Sequence, residues 1–200
     1  MKAADGLSDS ERLYLSALVA YDNPNFNKVF EGNDAKGNPQ YKTWCNAYAA
    51  DVLYLFNGST DLMNSSVDPK HPEKYGNFAD PTKGDWTLAT SPGQKTVLND
   101  SNKFTPVTTT QGAQSLANQG KFVVGFTDDH ILIIMPGLDK PIETMYRSSV
   151  DTTKRYPGLA PAIAQEGKHQ YLFNTSENGT MDYAYSYEAY LKVKYYEFEK

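Results

Sequence analysis

One cysteine, Cys45, and three histidines, His71, His130 and His169, are the side chains of this 200-residue chain best suited to nucleophilic chemistry. A lone cysteine excludes an internal disulfide framework and a Cys-rich zinc site. It does not exclude attack on a carbonyl, because a thiolate is a strong nucleophile once a base has taken its proton. A metal site needs three or four convergent ligands, and no His/Asp spacing here supplies them. A phosphate-cradling loop signature is also missing, so neither metal nor cofactor is expected.

Cys45 lies in Thr43-Trp44-Cys45-Asn46. Thr43 is suited to N-cap a helix whose first turn then holds Cys45. A helix N-terminus carries unpaired N–H groups and about half a positive charge. Both stabilise a thiolate, and the same N–H groups can hold a developing oxyanion. The plainer reading is a buried structural cysteine, since free Cys is among the most buried residue types. His130 opens an apolar run directly after Asp128-Asp129. At the mouth of a sheet it can face a helix N-terminus and take a thiol proton; the plainer reading is a strand-end histidine bonded to Asp128 or Asp129. A Cys–His dyad needs adjacency in space and not in sequence. His71, in Lys70-His71-Pro72, reads as a solvated loop residue, and His169 as a weaker alternative base. Asn46 reads as a helix-start capping residue.

The elements that would position these residues follow from local pattern. Ser8-Asp9-Ser10-Glu11 is a capping box, followed by Leu13, Ala17, Leu18 and Tyr21 at helical spacing; Asp22-Asn23-Pro24 should end that helix. Residues 22–42, rich in Asn, Gly, Pro and Lys, read as loop. The helix begun near Cys45 puts Tyr48, Val52, Leu55 and Phe56 on one face, with Ala47, Ala49 and Ala50 allowing close approach to a sheet. Gly58 is a fitting stop. Residues 57–107 lack periodicity and read as a long excursion with one short helix near Leu62; loops of this length are often functional walls or lids. Thr110 to Asn118 predicts a helix ended by Gly120. Phe122–Phe126 and His130–Met135 predict two strands joined by a tight turn at Asp128-Asp129, the second apolar on both faces and therefore central. Residues 138–160 form a second excursion. Ala162–Gln165 predicts a short strand, Tyr183 to Tyr190 a helix, and Leu191 to Phe198 a closing strand. Helices first and an antiparallel sheet afterwards is an α+β pattern.

Composition sets the outer limits. The length suits one domain with a proper core. With a net charge of −5 and no long Lys/Arg cluster, nucleic acid is not an expected partner. No apolar run approaches the roughly 18 residues of a membrane span, and Met1 to Leu7 contains no apolar signal core. Tyrosine, at 15 residues against 2 Trp, joins an apolar body to a polar tip. That excess suits wet, half-buried surfaces such as a substrate groove, or is a bias of composition.

The segment Tyr41-Lys42-Thr43-Trp44-Cys45-Asn46-Ala47-Tyr48-Ala49-Ala50-Asp51-Val52 resembles the nucleophile helix of papain-like cell-wall peptidases and amidases, the NlpC and CHAP group, with its T-x-C-N-x-F-x-x-D-V pattern. Ala113 to Val124 resembles the group's A-x-x-L-A-N-x-G-x-x-V-V helix and strand. His130 to Gly137 resembles its H-V-x-x-V-x-P-G strand, Pro161 to Gly167 its P-x-V-A-Q-x-G strand, and Val193 to Tyr196 its closing strand. These blocks stand in the group's order and cover roughly half the chain. The chain departs in having Asp129 where the group usually has Gly, and in the wider gap between His130 and the Gln165 block.

The resemblance implies a papain-like α+β fold, a nucleophile-bearing helix packed on an antiparallel sheet, as one catalytic domain over 1–200 with insertions near 57–107 and 138–160. It implies a cysteine hydrolase that cuts an amide bond of bacterial peptidoglycan, either within the stem peptide or between sugar and peptide. Cys45 would be nucleophile and His130 base. Gln165 is the block-matched third residue, with Glu143 and Asn174 as alternatives; Gln165 is equally readable as an ordinary strand residue. The implied partners are peptidoglycan or its peptide fragments, and the implied location is secreted or periplasmic. Two further readings stand beside this one. One is a catalytically idle module that binds cell-wall peptides through its tyrosines. The other is a secreted effector toxin of the same chemistry, paired with an inhibitor or immunity protein.

Overall fold

The computed structural model describes residues 6–22, 29–33, 35–37, 39–42, 45–62, 91–100, 102–128, 130–137, 161–165, 171–172 and 187–199. The first helix, α1 (Asp9–Tyr21), starts where the capping box requires. Ser8 accepts a hydrogen bond from the Glu11 N–H, and the Glu11 carboxylate accepts from the Ser8 N–H at 2.8 Å. It ends at Tyr21 with Asp22 as C-cap, just before the Asn-Pro pair. The second helix, α2 (Cys45–Asn57), begins at the cysteine itself; Thr43 and Trp44 lie outside the described residues. Gly58, at φ +80°, ends it.

Residues 22–42 are not wholly loop. β1 (Val29–Asn33) and β2 (Pro39–Lys42) form an antiparallel ribbon with a register shift between Phe30 and Gly32. The ribbon stands apart from the main sheet and lacks period-two alternation, so its Gly/Pro/Asn content hides a ladder made by the backbone. The 57–107 stretch also differs from expectation. Leu62, fully buried, sits in a turn, and residues 63–90, on which the short helix expected near it would fall, lie outside the described residues. Among the described residues of this stretch are a helix, α3 (Ser91–Asp100), and the strand β3 (Phe104–Val107) that follows it. Pro92 and Gly93 suggest a break, yet proline is tolerated in a helix's first turn. Pro106 argues against a strand in the same way, yet β3 is the edge strand, where proline is allowed.

The remaining elements are α4 (Thr110–Asn118), β4 (Val123–Phe126), β5 (Ile131–Ile134), β6 (Ile163–Gln165), β7 (Tyr171–Leu172), the single turn α5 (Tyr187–Tyr190) and β8 (Lys194–Phe198). Six strands form one sheet in the order β3-β8-β4-β5-β6-β7, every neighbouring pair antiparallel. The architecture is α+β. All four residues of β5 are buried, as expected of an apolar run at the sheet's centre. Each such side chain contributes roughly 1.5–3 kcal/mol on burial.

Strand alternation divides the core. Val124, Phe126, Ile131 and Ile133 face α1 and α2, and Leu98 of α3 joins that side. Val123, Leu132 and Ile134 face Ala113 and Ala117 of α4 and Tyr190 of α5. The Tyr48 hydroxyl donates to the Ala17 carbonyl at 3.0 Å and ties α2 to α1.

Buried Gln114 ties α4 to the sheet. Its Nε2 donates to the Met135 carbonyl at 2.8 Å and its Oε1 accepts from the Ala162 N–H at 2.9 Å. The Gly137 N–H donates to Asn118 Oδ1 at 2.7 Å. Gln114 and Asn118 together therefore hold the chain on both sides of the 138–160 excursion, which itself lies outside the described residues.

Candidate active site

α2 packs its small residues against β5 and β6, so its first residue arrives at the end of the sheet where β4 turns into β5. Ala47, Ala49 and Ala50 are all essentially inaccessible, and this is what brings the helix so close. On the other side of the site, β4 and β5 form a hairpin in register Phe126 to Ile131. The Thr127 N–H donates to the His130 carbonyl at 2.9 Å, which fixes the backbone of the histidine just before β5 begins.

The Cys45 thiol lies beside the His130 side chain, near enough for the histidine to lower the thiol's pKa. Cys45 is 8% exposed, and His130 is half-buried. Burial of the thiol pushes its pKa up. The charge of His130, the hydrogen bond with its side chain, and the backbone N–H groups of Ile131 and Asn46 together outweigh that, and the pKa lies below its ordinary value. These contacts favour the thiolate over the thiol. Chemically, the arrangement offers a nucleophile, a proton acceptor in contact with it, and N–H groups converging on the same point.

The other sequence-derived candidates divide. Asp128 does not bond His130; its carboxylate pairs with Lys95 of α3, which holds it below the usual carboxylate range. Gln165 ends β6, next to β5 in the sheet, and of this residue the backbone alone is described. Asp129, Glu143, Asn174, His71 and His169 lie outside the described residues. Asn46 supplies its backbone N–H to the sulfur.

Two groups were given no role by the sequence, although Asp51 stands as the D in the D-V of the nucleophile-helix pattern. One is the Ile131 N–H, which reaches Cys45 only because the β5 start abuts the α2 start. The other is Asp51, 3% exposed on α2, whose carboxyl is pushed up to about 7 by burial. Among the described residues no three His, Cys, Asp or Glu side chains converge as a metal site, and no helix is long and apolar enough to cross a membrane.

Comparison with protein-family models, with curated proteins and with solved structures returned no match.

Proposed function

We propose that this chain is a papain-like cysteine hydrolase that cleaves an amide bond of bacterial peptidoglycan, as a stem-peptide endopeptidase or an amidase. The observation that carries the reading is the juxtaposition of the Cys45 thiol and the His130 side chain, at a helix start and a strand mouth respectively. The peptidoglycan substrate rests on the resemblance of the Cys45, Asn118, His130 and Gln165 blocks. The protein then acts where that polymer lies, in the periplasm or outside the cell.

The chemistry runs in two halves. The Cys45 sulfur attacks the amide carbonyl, a C–S bond forms, and the carbonyl oxygen takes the negative charge. Backbone N–H groups at the α2 start stabilise that oxygen. His130, holding the proton that left the thiol, gives it to the departing nitrogen as the C–N bond breaks. His130 then takes a proton from water, which attacks the thioester; the acid is released and the proton returns to sulfur. Gln165, as third member, would fix the imidazole orientation.

The test is release of soluble peptide or amino sugar–peptide fragments from purified peptidoglycan. Wild type should release them, and Cys45→Ser should bind the polymer without releasing any. Binding by wild type with no release, together with slow alkylation of Cys45, would leave an idle binding module. Fast alkylation without release would keep the hydrolase chemistry and discard the substrate.

A further inference from the structure

Lysines from two distant parts of the chain, Lys95 and the pair Lys192 and Lys194, lie at the end of the sheet that holds the dyad. Lys95 of α3 pairs with Asp128, two residues before His130. Lys192 and Lys194, at the entry to β8, also act on the Asp128 carboxylate. Neither of these two makes an ion pair with another described residue. Three ammonium groups around one described carboxylate make a cationic rim on a chain whose net charge is −5; Asp129 lies outside the described residues.

The register shows where this rim lies relative to the thiol. Lys194 pairs with Phe126, and Phe126 pairs with Ile131. Residues directly opposite in antiparallel strands share a face, and Phe126 and Ile131 are on the Cys45 side of the sheet. Lys194 is therefore in the same row and on the same face as Ile131, whose N–H meets the Cys45 sulfur. Two strand spacings separate them, about 10 Å.

Lys194 also lines a groove of about 540 Å³ that runs past Thr108, Thr109 and Thr110 to Tyr190. Among the described residues the groove's wall is made of hydroxyls, apolar groups and one ammonium, with no carboxylate. Val107, Tyr190, Val193 and Tyr195 of its wall belong to the side of the sheet under α4, while Lys194 and Tyr196 are by register on the Cys45 side.

We infer that the Lys95–Lys192–Lys194 rim, together with the groove that Lys194 lines, forms a subsite for a carboxylate-bearing stretch of the substrate peptide, about two strands from the bond being cut. The assignment rests on the hydrolase reading of Cys45 and His130. The rim attracts the anionic peptide and holds it. Lysine ammonium groups at this distance act on encounter and binding more than on the chemical step.

The test has two arms. In the first, Cys45 is alkylated with iodoacetate, which is anionic, and with iodoacetamide, which is neutral. Replacing the three lysines together (Lys95→Gln, Lys192→Gln, Lys194→Gln) should slow the iodoacetate reaction about threefold or more relative to iodoacetamide at low salt. The Lys→Arg triple variant should restore the ratio, and added salt should erase the difference. An unchanged ratio in a folded Gln variant overturns the rim's role whatever the substrate proves to be.

In the second arm, wild type and the Gln variant are compared on native peptidoglycan and on peptidoglycan whose free carboxylates have been amidated. Roughly a three- to tenfold rise in KM, with kcat held, is expected for the variant on the native polymer alone. Equal losses on both polymers overturn the carboxylate assignment. If wild type cuts neither polymer, the peptidoglycan reading fails and the carboxylate subsite falls with it, whereas the alkylation ratio still decides the rim.

Discussion

The thiol of Cys45, the first residue of α2, lies beside the side chain of His130, the residue before β5, although 85 positions separate them in the chain. Each contact that favours the thiolate comes from a different place: the His130 side chain, the start of β5, and the helix's own second residue.

Alkylation rates should follow from that contact. The thiolate is the reactive form, and a depressed pKa keeps it populated at lower pH. Cys45 should therefore react with iodoacetamide at pH 6 well ahead of an unshifted thiol, and the midpoint of its rate-against-pH curve should fall below the model-thiol value of about 8.5. His130→Ala removes a charge and a hydrogen bond, so the midpoint should rise; each pH unit costs about tenfold in thiolate at pH 6. A midpoint that stays put in His130→Ala would mean the histidine does not act on the thiol.

Gln165 ends a strand next to the one that His130 precedes. Gln165→Ala should lower kcat by about tenfold or more while thermal unfolding stays within a degree or two of wild type. Full activity in that variant would pass the third role to Glu143 or Asn174.

Asp51 ties stability to pH. Its carboxyl has an ordinary pKa of 3.8 and titrates near 7 when folded. Between those values the folded chain keeps a proton that the unfolded chain has lost, so stability is full below about pH 4, declines as pH rises to about 7, and is level above. At about 1.4 kcal/mol per pH unit, the span caps the effect at roughly 4 kcal/mol. Asp51→Asn should flatten this decline, with the gain over wild type largest at pH 8 and near zero at pH 4. Parallel denaturation curves at the two pH values would show that Asp51 is solvated.

Gly120 should not tolerate a side chain. Its φ is +78°, and a Cβ there would lie 2.5 Å from the Asp9 Cβ and 2.7 Å from the Ser10 nitrogen. The left-handed backbone alone costs alanine about 1 kcal/mol or more, and the clash pushes α1 away from the α4 end. Gly120→Ala should lose at least about 2 kcal/mol in urea denaturation, with alkylation of Cys45 in the folded protein unchanged. A loss under 0.5 kcal/mol would mean that α1 is free to shift.

What the sequence by itself determined is what local chemistry controls. Ser8 and Glu11 start α1, Gly58 and Gly120 stop their helices, and the apolar run after His130 has to be a central strand because both its faces need cover. These signals span a few residues and act through the backbone next to them. The ribbon β1–β2, the helix α3 and the edge strand β3 escaped because Gly and Pro there mark a bulge, a helix's first turn and a sheet edge. Those are positions whose meaning depends on a neighbour. Tertiary structure alone decided that the Asp128 carboxylate turns to Lys95 and not to His130, that the Ile131 N–H reaches the sulfur, and that lysines 95, 192 and 194 share one end of the sheet. Contacts of that kind are set by how α2 and α3 pack on the sheet and by the β4–β8 register, and no periodicity within a single segment encodes them.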